Sequence, residues 1–369
     1  MANHKGYYMD PFSFGKKFTV TVFGGSHGPR VGVRISGCPK GVPISTSEIQ
    51  LELDRRKPGQ SVLTTPRKED DAVIVKSGLK NGKATGGKIV LSIENKNTRS
   101  SDYGLFSKIP RPGHADYPSL LKYGSVQPGS GFFSGRMTAA FVMAGAVAKK
   151  ILRAQGIRTM AFSRQIGKVA LKHEPSDSQI LSNTYKNDVR TADLSYAPKM
   201  AREIMRARAK GDSVGGIVEC RIVGVPAGIG EPMFGSIESS ISSAMFAIPA
   251  VKGIEFGSGF AGAKTFGSQN NDAYLLSKGK VISKTNHAGG ILGGLSSGMP
   301  ICFKVAFKPT SSIGKSQMTL DLSSKKEVLL SVHGRHDPCI AIRGVPVVEN
   351  VAAICMADII LESNSSKKK

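Results

Sequence analysis

Tryptophan is missing from this chain, and aromatic residues as a whole make up only 7% of it. So few flat side chains equip a protein poorly for stacking on successive bases. Acidic residues are also scarce: 27 Asp and Glu stand against 51 Lys and Arg, a formal charge of +24. Such a field gathers anions, either nucleic acid or phosphorylated and carboxylated metabolites. The cysteines, Cys38, Cys220, Cys302, Cys339 and Cys355, are odd in number and form no CxxC pair. In a chain of 369 residues that pattern predicts reduced thiols and a cytosolic setting, not a disulfide framework. Long apolar runs are absent too. The longest, residues 139–148, covers half of the roughly 20 positions that span a bilayer. Residues 1–18 lack the apolar core of a signal peptide. The expectation is a soluble, cytoplasmic protein with no membrane partner, and charge alone does not choose between nucleic acid and small anions.

Glycine, by contrast, is plentiful, with 43 residues in short clusters between apolar runs. That suits tight turns and backbone-lined sites. No repeat, low-complexity block or linker divides the sequence, and a chain this long buries a large core unaided. One continuous α+β domain is expected over 1–369, ordered from about 12 to 362, with 363–369 (SNSSKKK) a flexible tail. Alternation and β-formers predict strands at 17–23, 31–35, 72–76, 88–94, 216–223 and 300–307. Ser45 and Glu48 have capping-box spacing ahead of Ile49 and Leu53, and Pro58-Gly59 ends that helix. Further helices are expected at 138–152, at 198–210, around Ile237, Ile241 and Met245, and at 346–361 with proline in its first turn. In the helix 198–210, Met200, Ile204 and Ala207 share a face that Lys199, Arg202 and Arg206 avoid. Between them, residues 95–131 read as a long polar loop, and such loops are commonly functional.

Several segments carry chemistry. His27 lies in Gly24-Gly25-Ser26-His27-Gly28 directly after a strand, where glycines allow close backbone approach to a ligand. A solvent-exposed turn histidine is the plainer alternative. Arg111-Pro112-Gly113-His114-Ala115-Asp116 sets a guanidinium, an imidazole and a carboxylate within six residues, suited to an anion and to proton transfer. A loop held by its own Arg–Asp pair would use the same residues. Gly334-Arg335-His336-Asp337-Pro338 with Arg343 repeats that chemistry. His333 and His336 find no second ligand pair, so no metal is expected. Lys308-Pro309-Thr310-Ser311-Ser312 follows a strand and offers a cation and hydroxyls, and Arg56 ends a helix before Pro58-Gly59. Residues 257–265 miss Walker spacing, since the lysine falls one place late, and no GxGxxG opens a helix after a strand.

Taken together, the segments resemble the chorismate synthase family. The matching stretches are GGSHG at 24–28, RRKPGQS at 55–61, RPGHADY at 111–117, SGRMTA at 134–139 and GAVAK at 145–149. GDSVGG at 211–216, AVKGIEF at 250–256, HAGGILGGLS at 287–296, KPTSS at 308–312 and GRHDPC at 334–339 follow in the family's order. The resemblance implies a β-α-β sandwich assembled as a homotetramer. It also implies anti-1,4-elimination of phosphate from 5-enolpyruvylshikimate 3-phosphate to give chorismate, with reduced FMN required although no net redox change occurs. NADPH enters only if the protein reduces its own flavin. Carried over residue by residue, His27 protonates or stabilises the reduced flavin and His114 acts as acid near the leaving phosphate. Asp337, with Ser134, manages the proton at the flavin nitrogen. Pro249, Ala250, Gly293, Lys308, Pro309, Thr310, Ser311, Ser312 and Arg335 match flavin-contacting positions, and Arg56, Arg111, Arg136 and Arg343 supply cations for substrate. Departures from the family pattern occur at Gly25, Val62, Phe132, Phe133 and Met137. The rival readings are a basic RNA-binding protein, opposed by the lack of stacking aromatics and of a basic helix or arm, and a flavin reductase, for which no nicotinamide motif appears.

Overall fold

Alternating apolar residues in TVTVFG and RVGVRIS build the first sheet, because every second side chain points to one face. Its strands are β1 (Ser13–Phe14), β2 (Thr19–Gly24), β3 (Arg30–Ser36), β4 (Ile74–Ser77) and β5 (Ile89–Glu94), ordered β1-β2-β3-β5-β4 and antiparallel throughout. A second sheet is ordered β9-β10-β8-β6-β7. It comprises β6 (Arg158–Ile166), β7 (Val169–Ala170), β8 (Gly216–Val223), β9 (Val251–Phe256) and β10 (Ile301–Phe307). The structure, a computed structural model, describes residues 10–67, 69–96, 100–332, 334 and 336–366.

Helices α1 (Thr46–Arg56), α3 (Thr138–Arg153) and α6 (Ala341–Ser366) fill the space between the sheets, and α5 (Ile237–Phe246) packs on α6 and β9. α2 (Asp116–Tyr123) packs on the 3₁₀ turn Ser100–Ser107, α4 (Ala197–Ala209) packs on β6 and β7, and a short helix spans Asp177–Asn183. α3 packs on β3 and β5, α6 packs on β6 and β8, and the two helices pack on each other and on α1. The result is the expected β-α-β sandwich. Contact between α3 and α6 is close: a Cβ added at Gly145 would lie 2.3 Å from Asn350 Cβ. Three buried charges tie this layer together. Lys149 Nζ lies 2.7 Å from Glu52 Oε2 and 2.5 Å from Glu349 Oε1, while Asn350 also donates to Glu52 at 2.8 Å. By length and composition α6 could cross a membrane, yet nearly all of it is buried inside the protein.

The expected capping box is present: Glu48 N donates to Ser45 Oγ at 3.2 Å, and Ser45 N to Glu48 Oε2 at 3.3 Å. Other boundaries move. α6 begins at Ala341, so Pro346 lies inside the helix, where it forfeits one amide bond that burial on both sides compensates. It also continues through Ser366, so residues 363–366 are helical where a frayed tail was expected, and 367–369 lie outside the described residues. The polar stretch 95–131 contains α2 and 3₁₀ turns at Ser100–Ser107 and Pro128–Phe133. β6 and β9 had no sequence signature; most of β6 is buried on both faces, which erases alternation.

Candidate active site

The loop leaving β2 turns at Gly24, whose φ is +90° and where a Cβ would lie 2.1 Å from the Arg30 carbonyl oxygen. That turn presents Ser26 and His27. Asn95, just past β5, pins the loop from beneath: its Nδ2 donates to Gly25 O at 3.0 Å and to Gly28 O at 2.7 Å. Its Oδ1 accepts from Arg136 Nε at 2.9 Å, so the His27 loop and the start of α3 are fixed to one amide. Gly129 lies flat against the His27 ring, where a Cβ would come within 2.1 Å of Cδ2.

His114 is held by a buried network. Arg111 grips Asp116 through Nε and Nη2, both at 2.7 Å, and His114 Nδ1 lies 2.7 Å from Asp116 Oδ1. Burial would raise the Asp116 carboxyl, but hydrogen bonds from Arg111 and His114 outweigh it and hold the group well below the usual carboxylate range. Ionised Asp116 only accepts, so Nδ1 donates to it and Nε2 becomes the nitrogen that exchanges protons. Arg111 Nη1 also reaches Ser312 Oγ at 3.0 Å. Lys308 Nζ lies 2.5 Å from Ser311 Oγ and 3.0 Å from Gly113 O, which joins the KPTSS strand exit to the same loop.

The third group lies where α1, α3 and α6 begin or end. Arg136 pairs with Asp71 and donates to Glu94 O at 3.0 Å. Arg343 donates to Asp337 Oδ2 at 2.6 Å and to Arg56 O at 3.2 Å, and Thr65 N donates to Asp337 Oδ1 at 2.9 Å. Arg56 is 1% exposed, yet its Nε and Nη1 have no hydrogen-bond acceptor; Asp71 is 3.8 Å away. Burial, with Arg343 and Arg136 nearby, pushes Arg56 down to about 9 against the pull of Asp71. Arg111, Arg136 and Arg343 are therefore each neutralised by an internal carboxylate. Among the described residues of this patch, Lys308 has no carboxylate partner, and Arg56 has only Asp71, 3.8 Å away. Burial and then Lys252 lower Lys308 from its ordinary value.

Most of the residues assigned from the sequence thus meet in one connected patch. Ala250, at φ +72°, accepts from Lys308 N at 2.9 Å, and Pro249 lines a narrow cavity with Arg56 and Arg343. Thr310 O accepts from Ser213 Oγ at 2.7 Å, and Pro309 packs beside Gly215. Ser134 Oγ caps the Arg136 amide at 3.3 Å and so joins the patch, whereas Gly293 lies apart, turning a short hairpin whose Gly294 packs on Glu231–Ser236 at the start of α5. Arg335 and His333 lie outside the described residues. Three of the five departures from the family pattern gather on one wall: Phe132, Phe133 and Met137, with Phe12 and Tyr123, line an apolar pocket of about 420 Å³. Gly25 has open space where a side chain would go. Val62 is exposed, and its carbonyl accepts from Arg208, which borders a pocket of about 310 Å³ with Asp337 and Ser312. Among the described residues no His, Cys, Asp and Glu side chains group as a metal site would require.

Sequence reasoning missed Asn95, Asp71, Arg208 and Ser130. Only Ser130 left a trace, the triplet Gly129-Ser130-Gly131. The others act across 40 or more residues and carry no local signature.

A family model for chorismate synthase matches residues 18–361. Chorismate synthase of Korarchaeum cryptofilum is 47% identical over 352 residues, covering 95% of this chain and 97% of its own. That of Methanosarcina mazei is 45% identical over 351 residues, covering 95% and 96%. A crystal structure of chorismate synthase superposes with a TM-score of 0.75 at 28% identity, covering 95% of this chain and 93% of that one. With the sandwich, the two held histidines and the buried arginines already in view, these likenesses leave one assignment: the chain belongs to the chorismate synthase family.

Proposed function

We propose that the protein eliminates phosphate from 5-enolpyruvylshikimate 3-phosphate in the anti-1,4 sense, giving chorismate, with reduced FMN bound. The observation that carries this is Arg56: buried guanidinium donors without acceptors, linked through Asp71, Arg136 and Asn95 to the loop that holds His27, suit a site made for anionic groups. An anion there would satisfy Nε and Nη1, which otherwise carry a desolvation cost of about 1–3 kcal/mol. Flavin phosphate and ring fit the remaining donors. Lys308, Thr310 and Ser311 offer a cation and hydroxyls, Ala250 brings backbone close, and Thr310 Oγ1 is buried without a partner. When bound, reduced flavin supplies electron density to the allylic system as the C–O bond breaks and recovers it as the C–H bond breaks.

The chain's own part is to bind, orient and protonate. His114, with Nδ1 committed to Asp116, gives a proton from Nε2 to the departing phosphate. His27, flanked by Gly129 and held through Asn95, keeps a proton beside the reduced flavin. Arg56 and Lys308 offset the charge that develops on phosphate. Asp337, anchored by Thr65 N and Arg343, is a fixed acceptor for the proton leaving the substrate. Anaerobic assay with dithionite-reduced FMN tests this reading. Chorismate should form with reduced flavin and not with oxidised flavin, and His27→Ala and His114→Ala should each lower turnover by ~10²–10⁴-fold. Equal turnover without flavin would end the reading. Five free thiols, four of them buried, support a reducing, cytosolic setting. Assembly as a homotetramer is supported by exposed Met233 and Phe234, 84% and 98% accessible in the single chain, and light scattering checks it.

A further inference from the structure

Ser130 stands in a conformation that few non-glycine residues adopt. Its φ is +65°, between Gly129 at +63° and Gly131 at +50°, and only 8% of it is exposed. Keeping a side chain on left-handed backbone costs conformational energy that glycine avoids. The hydroxyl lies where it has work to do. Oγ is 3.3 Å from His114 Nε2 and accepts from Arg111 Nη2, 3.1 Å away. On its far side His114 Nδ1 faces Asp116 Oδ1 at 2.7 Å.

Counting hydrogens settles the direction of each bond. Arg111 can only donate, so it occupies a lone pair on Oγ, and the single O–H hydrogen is left to donate to Nε2. Asp116 accepts at Nδ1, so neutral His114 carries its proton on Nδ1 and offers its lone pair from Nε2. When Nε2 carries a proton, it donates to Oγ, and the hydroxyl hydrogen turns outward.

We propose that Ser130 is a positioning residue for His114: with Asp116 setting the Nδ1–H tautomer, its hydroxyl aims Nε2 and hands protons between that nitrogen and the bound anion. In that hand-over the Oγ–H bond breaks as a phosphate oxygen gains hydrogen, while the Nε2 proton re-forms Oγ–H; serine ends unchanged and His114 ends neutral. The inference rests on the reading of His114 as the acid.

Two variants separate hydroxyl from backbone. Ser130→Gly deletes the hydroxyl and relieves the left-handed residue, whereas Ser130→Ala deletes the hydroxyl and keeps the strain. Nitrogen-15 NMR of ligand-free protein, with His114→Ala as the assignment control, reads the hydrogen bond at Nε2 without any turnover. Both variants should keep the Nδ1–H form that Asp116 sets but move the Nε2 signal downfield, as an acceptor nitrogen does on losing its hydrogen bond. Both should lower turnover about tenfold with reduced FMN and saturating substrate, while Ser130→Gly melts no lower than wild type. Wild-type turnover and an unmoved Nε2 signal in Ser130→Gly would overturn the proposal, as would a loss confined to Ser130→Ala. If the wild-type protein itself forms no chorismate, the functional reading has failed, and the Nε2 signal alone decides Ser130.

Discussion

Arg56 exemplifies a residue held at a stability disadvantage. Its charge is fully desolvated and only loosely paired, so replacing it with an apolar side chain of similar length should relieve the fold. Arg56→Met is expected to stabilise the ligand-free protein by about 1–4 kcal/mol in denaturant unfolding, since Asp71 keeps Arg136. The same variant should lose the rise in melting temperature that substrate gives wild type. Asp116 behaves oppositely. Its folded value lies below the ordinary ~3.9, so its contribution is complete above about pH 4 and fades as pH falls toward the folded value. Asp116→Asn should cost about 3 kcal/mol at neutral pH by stranding Arg111. Its acid unfolding curve, followed by circular dichroism below pH 4, should be flatter than wild type's.

At the scale of elements, the helical layer is locked by Lys149, which bridges two inward carboxylates from α1 and α6, while Glu52 also holds Arg55. Lys149→Met should destabilise by about 3–5 kcal/mol because Glu52 and Glu349 are left facing each other in apolar surroundings. A triple variant, with both glutamates also replaced by leucine, should recover most of that loss in calorimetry. Elements were unevenly legible. Ser45 and Glu48 marked the start of α1, and the all-apolar run marked α3, because each signal is local. β6 hid because it is covered on both faces. The start of α6 hid because Pro346 looked like a first-turn proline, and only packing between sheet and helix lets the chain coil ahead of it. The site was legible as motifs but not as a circuit. RPGHAD showed the Arg111–Asp116–His114 triangle, whereas the link from Asn95 to Arg136 exists only once β5 meets α3.

For the molecule as a whole, the net charge of +24 should act as an anion funnel. The substrate KM is expected to rise several-fold as salt increases from low values to about 0.15 M, where screening extends beyond about 8 Å. Turnover at saturation should barely change. α4 does present Lys199, Arg202 and Arg206 to solvent, contrary to the expectation of no basic helix. RNA retention at the same salt is therefore the telling control: the chain should release it, and retention would reassign that surface.

α6 has a consequence for biosynthesis. The second sheet leaves the ribosome before α6, the helix that covers it, so a nascent chain must wait with that apolar face uncovered until residue 341 and beyond emerge. Domains tend to fold as units once their last contributing segment is available, and exposed intermediates attract chaperones. Ribosome-arrested chains ending ahead of Ala341 should remain protease-sensitive and chaperone-bound, and emergence of residues 341–366 should bring protection of the second sheet in a single step.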